Sequence, residues 1–266
     1  MQTSSLFISA DTAIHRLHPV VKLLGLILLF VPAMAFNLPL WEAVVLAVAL
    51  LLLIAAGGKP NLRQLGAFLV VLFIMASLMW SLFLLDVEEP HVLAELGPLT
   101  ISEQSVLYGV AMGCRITALL VFGLVFVTTT RPEDFTFALR RLGLPGGMSV
   151  ALSLAFRLLP SFLATVQTVK DAQRARGLDL DSGGLMTRLR RYLSLAAPVF
   201  GYALRQADNL SRALEARGLM ATARRVELRT FAVRWADVGA MVLIVCAAAL
   251  SIWLRLQGHG ELLPRL

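Results

Sequence analysis

Charge is scarce in this chain. Asp, Glu, Lys and Arg make up only 15% of its 266 residues, against about a quarter in soluble domains. A solvated globular surface is thereby excluded, and the polypeptide is built to bury its exterior in lipid. Chemistry-bearing motifs are equally sparse. The two cysteines, Cys114 and Cys246, lie in apolar runs with no metal or redox spacing and read as small core residues. The four histidines (His15, His18, His91 and His259) form no ligand spacing and read as solvated or interfacial. Neither a metal site nor a cofactor is expected. No G-x-x-x-x-G-K-[ST] occurs, so the chain does not hold ATP through a P-loop. No apolar span carries a paired carboxylate or a Ser/His dyad, which argues against an intramembrane hydrolase. The N-terminus, MQTSSLFISADTAIHRLHPVVK, lacks a basic region running directly into an apolar one, and no cleaved leader is expected.

What is present is hydrophobic length: 58% of residues are hydrophobic and the mean hydropathy is +0.78. A hydrocarbon core about 30 Å thick takes about 20 apolar helical residues. Four spans come early, at roughly 20–36, 41–56, 66–85 and 105–127, and a fifth late, at roughly 238–256. The first two are short, with Pro32 and Pro39 near their turn. The third, GAFLVVLFIMASLMWSLFLL, is unambiguous. The fourth carries Arg115, a costly residue at mid-membrane unless it is paired or snorkels. Its place toward the outer end of the helix favours snorkelling.

Loop charge orients these spans. The chain carries 24 Lys and Arg against 17 Asp and Glu, a net +7 that reads as arginine gathered on the cytoplasmic side rather than as a nucleic-acid surface. The loop from Asp86 to Glu103 holds five acids and no Lys or Arg, whereas residues 128–237 hold 17 of the 24 basic residues. The N-terminus and the long basic segment are therefore placed in the cytoplasm, and the acidic loop and C-terminus outside. The apolar stretch MSVALSLAFRLLPSFLATV (148–166) resembles a span. Were it to cross, Lys170, Arg174, Arg176, Arg188, Arg190 and Arg191 would face outside. Arg157 and Pro160 interrupt its centre, and the return path at about 193–204 is too short. It is read as lying at or below the inner surface.

The basic segment divides into three helical pieces. RPEDFTFALRRLGLP opens with Pro132 and acids and closes with arginines and Gly143. A second helix runs from about Ser149 to Arg176, and a third from about Thr187 to Arg217. The two long helices end in one phrase, AQRARGL (172–178) and ALEARGL (213–219), identical at five of seven positions. Glycine after the last helical residue is a standard stop, and arginine in the last turn complements the carbonyl end. Ala-Arg-Gly is thus a competent helix terminator in itself. Its repetition at two helix tips on one face also fits a second role: small alanines admit a close partner surface, and arginine offers a permanent fork for carboxylates or carbonyls.

With these features in order, the chain resembles the transmembrane T component of energy-coupling factor transporters, the EcfT/CbiQ family. The resemblance rests on HRLHPVVKLL, TTTRPEDFTFALRRLGLP, FRLLP leading to AQRARGL, and AP leading to ALEARGL, and it covers nearly the whole chain. It implies an all-α polytopic protein with about five transmembrane helices and cytoplasmic coupling helices between the fourth and fifth. Residues 1–127 would form the first four spans, 128–237 the coupling region, and 238–266 the last span and an external end. The implied role is a non-catalytic scaffold in the inner or plasma membrane of a prokaryote. It would transmit the motion of two ATP-binding-cassette subunits to a small membrane S component that binds a vitamin or a transition-metal ion. Ala175, Arg176, Gly177, Ala216, Arg217 and Gly218 would then dock the ATPases. The faces around Phe156, Phe162, Phe200 and Leu204 would contact the S component or the other coupling helix. Glu215 stands where the first copy has Arg174, so the two docks need not be equivalent. The rival readings are a conventional ABC importer permease with its own translocation path and a membrane-embedded enzyme. The transported substrate is not legible in the sequence.

Overall fold

The computed structural model describes residues 12–83, 92–96, 99–178, 184–218 and 232–258, with only the backbone given at 83, 92–96, 99–102 and 185. Several sequence features lie outside these residues: 86–91 of the acidic loop with His91, the segment 179–183, Leu219 and the basic stretch after it, and 259–266 with His259.

The described chain is helical apart from one small ribbon. Its order is α1 (Pro19–Ala35), α2 (Pro39–Ala55), α3 (Lys59–Phe83), β1 (Val92–Leu96), β2 (Leu99–Ser102), α4 (Glu103–Thr129), α5 (Pro132–Arg141), α6 (Gly146–Ala175), α7 (Leu185–Ala216) and α8 (Trp235–Leu256). β1 and β2 pair antiparallel within the acidic loop, with Leu96 opposite Leu99. The alternation of apolar and polar residues over so few positions is below what distinguishes a strand from a loop by pattern.

Packing divides the chain into two units, residues 1–144 with 231–266, and residues 145–230. In the first unit α4 is the hub, touching α1, α2 and α3. Ala49 and Leu53 of α2, Leu69 of α3 and Ala118, Val121 and Phe122 of α4 form its buried core. The α3–α4 contact is close because small residues meet: Gly109 and Gly113, spaced as G-x-x-x-G, lie against Ser77 and Ser81. A Cβ on Gly113 would stand 3.0 Å from the Phe73 carbonyl oxygen. Outward faces are apolar, including Val71, Met75 and Met79 of α3 and Val242 and Leu243 of α8, as lipid-facing surfaces must be. Cys246 belongs to this exposed set rather than to the core, whereas Cys114 is buried.

Polar contacts fix how the helix ends align. Lys22 Nζ near the start of α1 donates to the Thr129 carbonyl at the end of α4 (2.8 Å). Asn61 at the start of α3 donates to buried Thr128 Oγ1 (2.9 Å). The Asp237 carboxylate in the first turn of α8 accepts from His18 N (2.6 Å) and Arg234 N (2.7 Å). The starts of α1, α3 and α8 and the end of α4 therefore share one end of this unit. α5 packs against α1, so by its contacts it belongs with the membrane helices rather than with α6 and α7.

Four helices are long and apolar enough to cross a membrane by length and composition: α3 (to Leu82), α4, α6 and α8. α1 and α2, at 17 residues each, are shorter. At 1.5 Å per residue these two span about 25 Å, less than the hydrocarbon thickness. The sequence reading differs on both counts. It admits α1 and α2 as spans and keeps α6 out on the strength of Arg157, Pro160 and the basic residues that follow.

The second unit is the pair α6 and α7, about 45 and 48 Å long. Each contains an internal proline, Pro160 and Pro198. Residues Leu158, Phe162, Tyr202, Ala203 and Leu210 line an apolar cleft between them.

Candidate functional site: two arginine-tipped helix ends and a buried ion pair

α6 ends at Ala175, with Arg176 as its C-cap and Gly177 at φ +89°. Gly177 N donates to the Arg174 carbonyl (2.9 Å) and Leu178 N to the Gln173 carbonyl (3.0 Å). This is the Schellman pair of bonds, and it needs a left-handed residue at the glycine. α7 repeats the ending: Arg217 caps it, Gly218 has φ +70°, and Gly218 N donates to the Glu215 carbonyl (2.9 Å). α5 closes likewise, with Gly143 at φ +109° and Leu144 N donating to the Leu139 carbonyl. The glycine therefore serves termination at all three ends. Arginine next to it at two of them is the feature that termination does not require.

At both tips the residues are open. Ala175, Arg176, Gly177, Ala216, Arg217 and Gly218 are all exposed, and added Cβ atoms on Gly177 and Gly218 would meet nothing within 4 Å. Among the predicted apolar contact residues, Phe162 lines the α6–α7 cleft and is half-buried. Phe156 is half-buried without lining it. Phe200 and Leu204 point outward, 65% and 53% exposed.

Arg115 departs from expectation. It lies twelve residues into α4, about 18 Å along the axis, and its side chain is only 11% exposed. It does not snorkel. Its Nε and Nη2 donate to Glu42 Oε1 at 3.1 and 3.0 Å, and Nη2 also reaches Asn37 Oδ1 (2.9 Å) and the Phe36 carbonyl. Glu42 is fully buried, and no bond reaches its second oxygen, Oε2, from the described residues. A guanidinium thus clamps the α1–α2 turn to the middle of α4, a use its five donors suit. Sequence reading missed the pair because the partners are 73 residues apart, and Glu42 in the first turn of α2 looks like an ordinary N-terminal acid. The carboxylate is matched by a cation.

The opening motif HRLHPVVK also gains a structural role. His18 is not merely solvated: its Nδ1 accepts from Val20 N at the start of α1 (3.2 Å), and its ring meets Phe137 of α5 edge-on. His15 Nδ1 is 2.8 Å from Thr12 Oγ1. Lys22 holds the His15 and Thr129 carbonyls (2.8 Å each). The motif is the fastening that joins α1 to α4, α5 and α8. Among the described residues no group of three or more His, Cys, Asp or Glu is arranged to hold a metal ion.

Comparison with known proteins identifies the family. The chain is 33% identical over 255 residues to a putative ABC transporter ATP-binding protein of Bifidobacterium longum, covering 91% of this chain but only 32% of that protein. It is 25% identical to the energy-coupling factor transporter transmembrane protein EcfT of Staphylococcus aureus, over 95% of this chain and 96% of that one. It is 28% identical to EcfT of Thermosediminibacter oceani, over 94% and 96%. The profile of the cobalt transport protein family, CbiQ, matches residues 10–227, most of the chain's length; this chain belongs to that family.

Proposed function

We propose that this chain is the T component of an energy-coupling factor transporter, the membrane scaffold through which two ATP-binding-cassette subunits act on a small substrate-binding S component. The observation that carries the reading is the pair of exposed Arg-Gly helix ends on α6 and α7, alike in capping geometry and in sequence. Arg176 and Arg217 enter grooves of the two ATPases. Ala175, Gly177, Ala216 and Gly218 allow the close approach. The outward apolar face at Phe200 and Leu204, with Phe156 and the cleft at Phe162, serves the S component or the neighbouring helix.

Two comparisons support this assembly. Full-length relatives are named as energy-coupling factor transmembrane proteins. A segment like this chain also occurs within a protein named as ATP-binding. Because the present chain has no P-loop, ATP hydrolysis belongs to its partners. Its own part is mechanical: motion delivered at the tips travels along helices about 45 Å long. In this reading residues 1–127, 128–237 and 238–266 are membrane helices, coupling region and last span. The N-terminus and coupling region are cytoplasmic, the C-terminus is external, and α6 does not cross. The cargo is a transition-metal ion or a vitamin, chosen by the S component. Purification of the tagged chain from its native membrane tests the proposal. One copy recovered with two ATPase subunits and a small membrane protein is expected. A homodimer that transports without a small membrane protein would establish the permease reading instead.

A further inference from the structure

α1 and α8 start together and run side by side in the first unit. They approach closely at Gly25, where an added Cβ would stand 3.0 Å from Ile244 Cδ1. Further along, about Pro32 inside α1, an open apolar groove lies between them. Phe30, Val31, Met34 and Ala35 of α1 and Ile252 and Arg255 of α8 line it. Arg255 is the only charged residue in this lining and comes from the last turn of α8. Its Nη1 donates to the Met34 carbonyl (3.1 Å), one of the carbonyls that the end of α1 leaves without an intrahelical partner. That bond holds the guanidinium at the groove and occupies one of its five donors. It is the one bond Arg255 makes among the described residues, and the side chain is exposed. No acid occurs in α1, and the one in α8, Asp237, is at the opposite end of that helix. Depth follows from two observations. α1 spans about 25 Å, short of a hydrocarbon core about 30 Å thick. Trp253, in the same last turn as Arg255, is 53% exposed, as tryptophans at headgroup level are. The groove therefore rises from hydrocarbon to headgroups, with its cation at the top.

We propose that this groove holds an anionic phospholipid, with one acyl chain along Phe30, Val31 and Ile252 and the phosphate on the remaining donors of Arg255. Guanidinium suits phosphate because it presents paired donors in a plane. The apolar lining favours a lipid over a free anion, which would leave that surface unused. A zwitterionic lipid carries its own cation beside the phosphate and gains less from Arg255. The carbonyl ends of α1 and α8 are negative at this level, so without Arg255 the same place repels a phosphate. The site is separate from the Arg176 and Arg217 tips, and it stands or falls independently of ATPase docking and of which side of the membrane it faces.

The test uses the full-length chain in nanodiscs of phosphatidylcholine and phosphatidylglycerol, with lipid retained after release read by native mass spectrometry. Thermal unfolding in pure phosphatidylcholine checks that each variant is folded. The wild type should retain phosphatidylglycerol in preference to phosphatidylcholine. Arg255→Gln should weaken that preference about fivefold, from the worth of one basic residue at an anionic surface. Arg255→Lys should keep most of it. Ile252 is half exposed, so Ile252→Trp fills the groove without entering the core, and it should lose the retained lipid although Arg255 is intact. Equal preference in Arg255→Gln and the wild type would overturn the headgroup contact, and undiminished retention by Ile252→Trp would overturn the chain seat. Displacement of phosphatidylglycerol by inorganic phosphate would overturn the lipid assignment in favour of a free anion. A mass of two chains without retained lipid would assign the groove to a second copy and equally overturn it.

Discussion

Arg115 and Glu42 show how one residue pair can decide the shape of a membrane domain. Neither belongs alone in hydrocarbon. Together, with Asn37 and the Phe36 carbonyl, they pin the α1–α2 turn at mid-height on α4. Removing one partner strands the other, at a cost of about 3–5 kcal/mol for buried pairs. Arg115→Gln should therefore lower the unfolding temperature of the purified chain sharply. Glu42→Gln with Arg115→Gln should cost less than the sum of the two single changes, because no uncompensated charge remains. A thermal-unfolding double-mutant cycle measures this directly, and strict additivity would show that the two do not act as a pair. The pair was illegible in sequence: Arg115 could be flagged as anomalous from composition, but its partner is supplied by tertiary packing. His18 and Lys22 follow the same rule, since their partners on α4, α5 and α8 are more than a hundred residues distant.

At the level of elements, the helix ends were the most legible feature. Gly143, Gly177 and Gly218 were each expected to stop a helix, and each occupies the left-handed region that glycine tolerates. Punctuation of this kind is local chemistry, which a sequence carries directly. What sequence could not carry was depth. α1 and α2 are apolar throughout, and only their 17-residue length and the Arg115 clamp set them apart from full spans. The ribbon in the acidic loop was equally hidden, being four or five residues per strand. A prediction belongs to this scale. Ala175 and Ala216 are exposed at the final helical positions, so leucine there leaves both helices intact. If the alanines admit a close partner, Ala175→Leu and Ala216→Leu should each reduce recovery of the ATPases severalfold at unchanged membrane abundance. Full recovery would show that the tips are not sterically engaged.

For the whole molecule, the governing facts are an apolar first unit built on α4 and a second unit of two long helices. The scarcity of charge, the acidic loop and the arginine-rich middle separate an apolar from a basic part of the sequence, because lipid and water select composition over long stretches, but they draw the boundary at 128, ahead of α5, whereas packing keeps α5 in the first unit. Sidedness is tested in intact cells with a membrane-impermeant maleimide, after Cys114 and Cys246 are replaced by serine. A cysteine at Gln257 should label, and one at Thr187 should not. Labelling at Thr187 would mean that α6 crosses the membrane, as its length and composition alone would allow.

In the proposed complex, energy enters at the repeated Arg-Gly tips. Burying an Arg fork in a partner groove can be worth several kcal/mol on truncation, and reversing its charge should cost more. Arg176→Glu and Arg217→Glu should each weaken ATPase association, and the double variant should abolish it along with uptake, with the chain still in the membrane. The decisive measurement is pull-down of the ATPase subunits from detergent extracts by the tagged double variant. Loss of both subunits is the predicted result. Recovery equal to that of the wild type would contradict the docking role of Arg176 and Arg217.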